Sequence, residues 1–186
     1  MTPYTFHEHT HRFAAWAAST AARASTKCRF TVADGTSILK ESNLYKVIDN
    51  PDQLPSVKSF DETHKIWRDE IIIIAKKTEL NFSHGVAAKL INCYLKAAFA
   101  NAITTSHEKF KAVHPPVDRI LLTALLKDPK LDFSLSFVKP PRLPSWSTFS
   151  SDQYEEVISQ IKRVLAYDPL NPVNGLWEIE KWWEIK

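Results

Sequence analysis

Two residues whose chemistry could serve catalysis lie in the second half of the chain, each within or next to an apolar stretch. Lys89 lies in HGVAAKLINCYLKAAF, which starts at His84, and Asp118 lies in HPPVDRILLTAL, which starts at His114. Burial disfavours the charged form of a lysine, so an amine inside such a stretch becomes available as a nucleophile near neutral pH. An aspartate at a helix start is held as a carboxylate by free backbone N–H groups and the helix dipole. Such a carboxylate can stabilise positive charge or transfer a proton.

Each of these residues also has a structural interpretation. Lys89 could extend its ammonium to water from a mostly buried helix. Asp118 could do no more than cap the helix that follows HPPV, a role that the nearby Pro116 also suits. The residue types alone leave both interpretations open.

The elements that carry the pair are predicted to be helices. The chain has only 3 glycines against 11 prolines, which favours helices joined by proline-containing loops over a sandwich or barrel. The isoleucine-rich stretch IIIIA at 71–75 lies between charged segments and fits a buried helix better than a strand. We therefore predict an all-α fold of about seven helices. Their approximate extents are 5–24, from Asp34 or Thr36 to 44, 61–77, 85–102, 117–127, 151–166 and 173–184.

The length of the chain bounds its organisation. With 186 residues and an apolar share of 44%, we expect a single helical domain over 1–186. Two subdomains could share its core, one of about 1–55 plus 140–186 and one of about 56–139. No apolar run approaches the roughly 18 residues that a membrane span needs, so we expect no membrane association.

Charge and cysteine usage bound the partners and the compartment. The net charge of +3 permits an anionic partner without requiring one, and its excess lies in segments 1–30 and 106–142. Cys28 and Cys93 have no CxxC spacing. This usage indicates a reducing, cytoplasmic location and argues against a zinc or iron–sulfur site.

The segment HEHTH, from His7 to His11, matches the H-E-x-x-H zinc motif of metalloproteases. That chemistry needs both histidines one helical turn apart, a glutamate base and a third ligand. Here the motif lies at the start of the chain and no downstream ligand stands out. We therefore expect solvated histidines on a first helical turn, with no metal and no cofactor.

The order of motifs around Lys89 and Asp118 resembles the catalytic core of the helix-hairpin-helix DNA glycosylase superfamily, which includes endonuclease III and the 8-oxoguanine glycosylases. There the hairpin reads roughly Leu-Pro-Gly-Val-Gly-x-Lys-Thr-Ala, and a Val-Asp pair begins a later helix. Gly85 and Val86 match the hairpin, Lys89 matches the lysine, and Val117 precedes Asp118 as in the Val-Asp pair.

The resemblance covers about residues 80–126 and has visible departures. Ala87 replaces the second hairpin glycine. The 29 positions from Lys89 to Asp118 exceed the usual family spacing, which implies an insertion between the two helices.

What the resemblance implies is a helix-hairpin-helix fold and a DNA glycosylase that flips a damaged base out of double-stranded DNA and excises it. An oxidised purine is the first guess for that base. Lys89 would be the nucleophile that attacks the sugar, which adds AP lyase activity, and Asp118 would stabilise the developing charge. The expected base-pocket residues are His114 and Trp146. The expected DNA contacts are His84, Gly85, Val86, Ala87, Lys139 and Arg142.

The alternative is a non-catalytic helical protein, either a DNA-binding module or a protein-interaction partner, of the kind that serves defence systems or mobile elements. The two hypotheses differ in geometry. A glycosylase needs the Lys89 amine and the Asp118 carboxylate to face one cleft within several ångströms of each other. The oligomeric state is left open by the sequence.

Overall fold

The chain folds into helices throughout the part that the structure describes, so the predicted all-α class is confirmed. The structure is a computed structural model, and it describes residues 4–25, 28–48, 50–99, 107–138, 145–167 and 175–183. The α-helices in these residues are α1 (Phe6–Ala22), α2 (Val32–Glu41), α3 (Leu44–Val47), α4 (Phe60–Lys76), α5 (His84–Phe99), α6 (Arg119–Lys127) and α7 (Ser151–Val164). Short 3-10 helices lie at Pro51–Gln53, Val57–Ser59, Glu108–Ala112, Trp146–Thr148 and Leu176–Trp182.

Helix α1 packs along α5 through a face of small residues. Thr5 begins α1 by accepting a hydrogen bond from the Glu8 backbone N–H. Small side chains let two helix backbones approach closely, which suits a central helix such as α5. The fully buried alanines of this face are Ala14, Ala15, Ala18 and Ala22.

The aromatic side chains of α1, which lie near one stripe at helical spacing, face away from this contact. Phe6, Phe13 and Trp16 are all more than half exposed. The spacing correctly indicates a helix, but the alanines rather than the aromatic side chains form its buried face.

The expectation of solvated histidines is wrong for His11. This side chain is buried, and its Nδ1 shares a 2.8 Å hydrogen bond with the Tyr94 hydroxyl of α5. Glu8 of the same motif accepts hydrogen bonds from Arg12 and Lys40. Among the described residues, no group of three or more His, Cys, Asp and Glu side chains is placed to hold a metal ion.

Helices α4 and α5 form the hairpin that holds Lys89. The isoleucine-rich stretch is helical, with Ile71 and Ile74 buried and Ile73 exposed, as one helical face requires. Glu79, with φ of 61°, lies in the connection that follows α4. A short connection of this kind places the two helices side by side.

The later helices begin at capping residues. Asp118 caps α6, and its Oδ1 accepts a 2.9 Å hydrogen bond from the Leu121 backbone N–H. Helix α7 is preceded by a capping box between Ser150 and Gln153 and begins at Ser151, the predicted helix start. The helix expected over 173–184 is a 3-10 helix over Leu176–Trp182 in the described residues.

Buried apolar side chains from all seven α-helices form one cluster, which includes residues of both possible subdomains. At its centre is α5, which is buried on nearly every side. Within the described ranges, no helix is both long enough and apolar enough to cross a lipid bilayer.

Candidate active site

The Lys89 ammonium donates a hydrogen bond to Asp118 Oδ2 over 3.2 Å. The Lys89 side chain is only 8% exposed and that of Asp118 only 18% exposed. The lysine comes from the second turn of α5 and the aspartate from the residue that caps α6. The two helices thus bring a nearly buried amine and a carboxylate together. Their separation of 3.2 Å meets the expectation that the two groups lie within several ångströms of each other.

Asp118 is fixed by three donors. Its Oδ1 caps α6, and its Oδ2 accepts from Lys89 and also from the Trp183 indole N–H at 2.9 Å. The position at the N-terminus of α6 adds the favourable end of the helix dipole. These contacts hold the carboxylate in one orientation beside the amine.

Both groups open onto a cavity of about 660 Å³. Its volume is in the range typical of small-molecule sites, and its walls are largely apolar, as in most such sites. Three aromatic side chains and three alanines, two of α1 and one just after it, form much of the wall: Phe13, Trp146 and Trp183, with Ala17, Ala21 and Ala24.

Trp146 lies next to the amine. The Lys89 Nζ is 5.5 Å from the centre of the Trp146 ring, within the range of a cation–π contact. The turn that carries Trp146 packs directly on the start of α5 at Gly85, where a β carbon would lie 1.7 Å from the Trp146 carbonyl oxygen. Glycine at position 85 therefore permits the close contact that places Trp146 in the cavity wall.

Three further cavity residues were not singled out from the sequence. Cys93 and Lys96 follow Lys89 by four and seven positions on α5, and Lys96 pairs with Glu180 from the C-terminal 3-10 helix. The helical spacing of Cys93 and Lys96 was the available signal, since positions i, i+4 and i+7 share a face.

Burial raises the pKa of the Cys93 thiol to about 11, although Lys89 and Lys96 act against this shift. Cys93 is therefore a thiol rather than a thiolate at neutral pH.

The hairpin residues expected to bind phosphate use their backbone N–H groups within the protein. The Gly85 N–H donates to the Phe149 carbonyl at 3.3 Å, and the Val86 and Ala87 N–H groups donate to Ser83 at 3.1 and 3.0 Å. Val86 and Ala87 are also fully buried. The start of α5 is thus covered by the 145–149 turn and does not offer these groups to a phosphate.

The other expected DNA contacts differ in their placement. The His84 imidazole lies 3.8 Å from the Asp69 carboxylate, and burial lowers the pKa of His84. Lys139 and Arg142 lie outside the described residues.

His114 is placed away from the cavity. It lies in a polar chain of five side chains that joins α4, α5 and α7, hereafter the buried polar chain, in which four members are buried and the end member Asp61 is exposed. In this chain Asp61 accepts from His114 Nε2 at 3.0 Å, and His114 Nδ1 bonds the Tyr154 hydroxyl at 3.0 Å. Tyr154 accepts from Asn92 at 2.9 Å, and Asn92 Oδ1 bonds His64 Nε2 at 2.8 Å.

The buried polar chain supports the site from behind. Asn92 lies one turn after Lys89 on α5, and it also donates to the Pro115 carbonyl at 2.9 Å. Because His114 and Pro115 are both held, the backbone that leads to Asp118 is fixed relative to the helix that carries Lys89.

Comparison of the chain with protein-family models, with curated proteins and with solved structures gave no match. The function of the cavity must therefore be argued from its own geometry and chemistry.

Proposed function

We propose that the chain is a DNA glycosylase with AP lyase activity, in which Lys89 is the nucleophile and Asp118 the proton acceptor and charge stabiliser. One observation carries this proposal: a nearly buried lysine amine lies 3.2 Å from a helix-capping carboxylate, and both face an aromatic-walled cavity. A nucleophilic side chain within hydrogen-bond distance of a possible proton acceptor, in a cleft, is typical of catalytic sites.

The first step transfers a proton from the Lys89 ammonium to the Asp118 carboxylate, which one hydrogen bond already joins. The free amine then attacks C1′ of the deoxyribose, so that an N–C1′ bond forms as the bond from C1′ to the base breaks. The bonding electrons leave with the base, which takes up the proton that Asp118 accepted from Lys89. The Asp118 carboxylate that this transfer restores can then stabilise the positive charge that develops on the sugar and its new C1′–N bond.

The covalent intermediate determines the second activity. Loss of the amine proton and opening of the sugar ring give a Schiff base between Lys89 and C1′. Removal of a proton from C2′ then forms a C2′–C3′ double bond and breaks the C3′–O bond, which releases the downstream strand with a 5′-phosphate. Excision and strand cleavage are thus expected to depend on the same amine.

The cavity suits an extruded base. Enzymes of this kind hold the flipped base against aromatic or apolar side chains, and Trp146, Trp183 and Phe13 provide such surfaces. Lys96 of the cavity wall is a half-exposed cation, and Arg119, the residue after Asp118, is exposed. Contacts of such cations with the DNA backbone would make binding salt-dependent.

The test is reductive trapping. The protein is incubated with borohydride and with duplexes that carry one abasic site, one oxidised purine or one alkylated purine, and the adducts are separated on a denaturing gel. We expect a covalent adduct with the abasic duplex and with one lesion duplex, and its loss in Lys89→Gln. The control is Lys76→Gln, which removes an exposed lysine from α4.

Asp118→Asn separates the two roles of the aspartate. Asparagine is as good a helix cap as aspartate, so α6 is expected to persist while the adduct forms at least 100-fold more slowly. If the wild-type protein forms no adduct with any of these DNAs, the proposal is wrong.

One observation favours the alternative of a protein-interaction partner. A second surface groove combines the exposed Ile66 and Ile73 of α4 with the carboxylates of Glu41, Asp69 and Glu70. Exposed apolar side chains within a polar rim are typical of protein contact sites. If the protein forms no adduct with DNA, this groove is the surface on which a protein partner is expected to bind.

A further inference from the structure

The face of α1 opposite its contact with α5 is exposed and largely aromatic. Six exposed residues follow one another along it at alternating spacings of three and four, which is the spacing of a coiled-coil seam. Phe6 is 84% exposed, Phe13 59% and Trp16 55%. We call this face the outer stripe, and its members are Phe6, His9, Phe13, Trp16, Thr20 and Arg23.

The rings of the outer stripe contact one another in two groups. The Phe13 and Trp16 ring centres are 6.1 Å apart, and the Phe6 ring stacks on the His9 imidazole with centres 6.3 Å apart. Tyr4, just before α1, joins the second group through a 3.0 Å hydrogen bond to His9. Side chains that are already held in place lose little freedom when a partner covers them.

The exposed area of this face is large enough for a dimer. An aromatic side chain has roughly 200 Å² to bury, so the exposed parts of the four rings, with Tyr4 included, come to about 500 Å². The largest apolar patch of a typical monomer covers roughly 300–600 Å² and often binds a partner. The polar members of the outer stripe extend the face towards the roughly 800 Å² that each partner buries in a stable complex.

The outer stripe is complementary to itself when one of two α1 helices is reversed. Its members then meet in pairs, because the two positions of each pair lie equally far from the midpoint of the stripe. The facing pairs are Phe13 with Trp16, His9 with Thr20, and Phe6 with Arg23.

Charge favours this antiparallel arrangement over a parallel one. In an antiparallel pair the Arg23 guanidinium of each copy meets the Phe6 ring of the other, which is a cation–π contact. In a parallel pair each residue faces its own equivalent, so the two Arg23 guanidiniums would repel each other.

We propose that the outer stripe binds the outer stripe of a second copy, so that the protein forms an antiparallel, two-fold symmetric dimer. Such a contact uses the same surface in both copies and closes at two. Phe13 belongs to the outer stripe and also to the cavity wall. Trp16 of the second copy therefore covers Phe13 at the edge of the cavity. This proposal does not depend on the chemistry proposed for Lys89.

The test is sedimentation equilibrium of the full chain from about 1 to 100 µM, a range in which a micromolar dimer dissociates. We expect a reversible species of twice the 21.3 kDa chain mass. The decisive variant is Trp16→Glu, which places a carboxylate from each copy in the apolar centre of the contact. We expect it to weaken dimerisation at least 100-fold. The control is Ile73→Glu, at a residue of α4 that is 63% exposed, with a dissociation constant within twofold of the wild type.

Cross-linking tests the direction of the helices. His9→Cys and Thr20→Cys are prepared separately, mixed and treated with a short bismaleimide. Antiparallel pairing brings position 9 of one copy to position 20 of the other, so the mixture is expected to give covalent dimers. Two copies of one variant keep their thiols 11 residues apart along the helix axis, about 16 Å, so each variant alone gives few. The wild type measures the background from Cys28 and Cys93.

Several outcomes would overturn the proposal. A protein that stays monomeric at the highest concentration would leave the outer stripe to a different partner. A dimer that persists in Trp16→Glu, or that is lost in Ile73→Glu, would place the contact elsewhere. Self-cross-linking of either cysteine variant as efficient as that of the mixture would contradict the antiparallel pairing. If circular dichroism shows that Trp16→Glu does not fold, the cross-linking result decides alone.

Discussion

Gly85 and Trp146 are in such close contact that a β carbon on Gly85 would lie 1.7 Å from the Trp146 carbonyl oxygen. That oxygen belongs to the backbone and cannot rotate away, so Gly85→Ala must displace the turn at 146–148. We expect a loss of about 1–3 kcal/mol in the free energy of unfolding, measured by urea denaturation.

Gly35 of α2 offers a matched control for this prediction. A β carbon there would lie 2.2 Å from Ser19 Oγ, 2.9 Å from Ser19 Cβ and 3.0 Å from Phe30 Cε2, all of them side-chain atoms, and alanine has the higher helix propensity. Because side chains adjust more readily than a backbone carbonyl, Gly35→Ala is expected to lose less stability than Gly85→Ala, about 1 kcal/mol. Equal losses in the two variants would show that the contact with Trp146 has no special importance.

The Lys89–Asp118 pair is expected to serve function at the expense of stability. Asp118→Asn keeps the cap of α6 but leaves a nearly buried ammonium without its counter-charge, which costs about 2–4 kcal/mol. Adding Lys89→Met replaces that ammonium by an apolar side chain of similar length. We expect the double variant to unfold within about 1 kcal/mol of the wild type.

A double-mutant cycle from urea denaturation measures this coupling. A double variant whose loss equals the sum of the two single losses would contradict the prediction, since the two side chains would then act independently.

Acid is expected to destabilise the fold through three buried histidines. Burial lowers the pKa of His11 to about 4, and it also lowers the pKa of His64 and of His114. In the unfolded chain a histidine titrates near 6.5. Below that pH the unfolded state binds more protons than the folded state, so stability falls as the pH decreases from about 6.5 towards about 4.

Each of these histidines contributes up to about 1.4 kcal/mol per pH unit within this window. Urea denaturation at pH 7.5, 6.5, 5.5 and 4.5 gives the slope. His11→Asn removes one titrating group, so it is expected to reduce the slope of the free energy of unfolding against pH by up to about 1.4 kcal/mol per pH unit, whatever its effect at neutral pH. An unchanged slope in this variant would assign the acid sensitivity to other groups.

Asn92 is expected to be the most sensitive member of the buried polar chain. Its side chain bonds His64, Tyr154 and the Pro115 carbonyl, and Asn92→Leu leaves all three without that partner. We expect a loss of about 3 kcal/mol or more in the free energy of unfolding, against about 1–2 kcal/mol for Tyr154→Phe. Thermal and urea denaturation measure both, and a smaller loss for Asn92→Leu would contradict the ranking.

The parts of the fold that the sequence predicts are those with strong apolar periodicity. Helices α4, α5 and α6 lie where the pattern places them, with starts that differ by one or two residues. The short helix α3 and the 3-10 helices of three to five residues were not predicted individually, because segments of this length contain too few turns to establish a period. The sequence does not reveal which face of α1 is buried. Close packing against α5 favours alanine there over larger, more hydrophobic side chains.

The order of the motifs predicts that Lys89 and Asp118 lie close together. Their separation of 29 positions along the chain gives no such indication. Placing Glu180 required knowing where the C-terminal segment returns to α5, which no local pattern encodes. The same limit applies to His114, because its partners Asp61 and Tyr154 come from distant helices. A residue before a helix can face either side of the loop, and only tertiary contacts decide which.

The buried polar chain from Asp61 to His64 takes its members from α4, α5, the loop before α6, and α7. No two of these elements alone can form all of its hydrogen bonds, so an intermediate that lacks one of them leaves further polar groups of the chain without a partner. Partly assembled forms are penalised accordingly, and the protein is expected to lose its structure in a single cooperative transition. Slowly exchanging amides should then be shared among α4, α5 and α7 rather than confined to one helix.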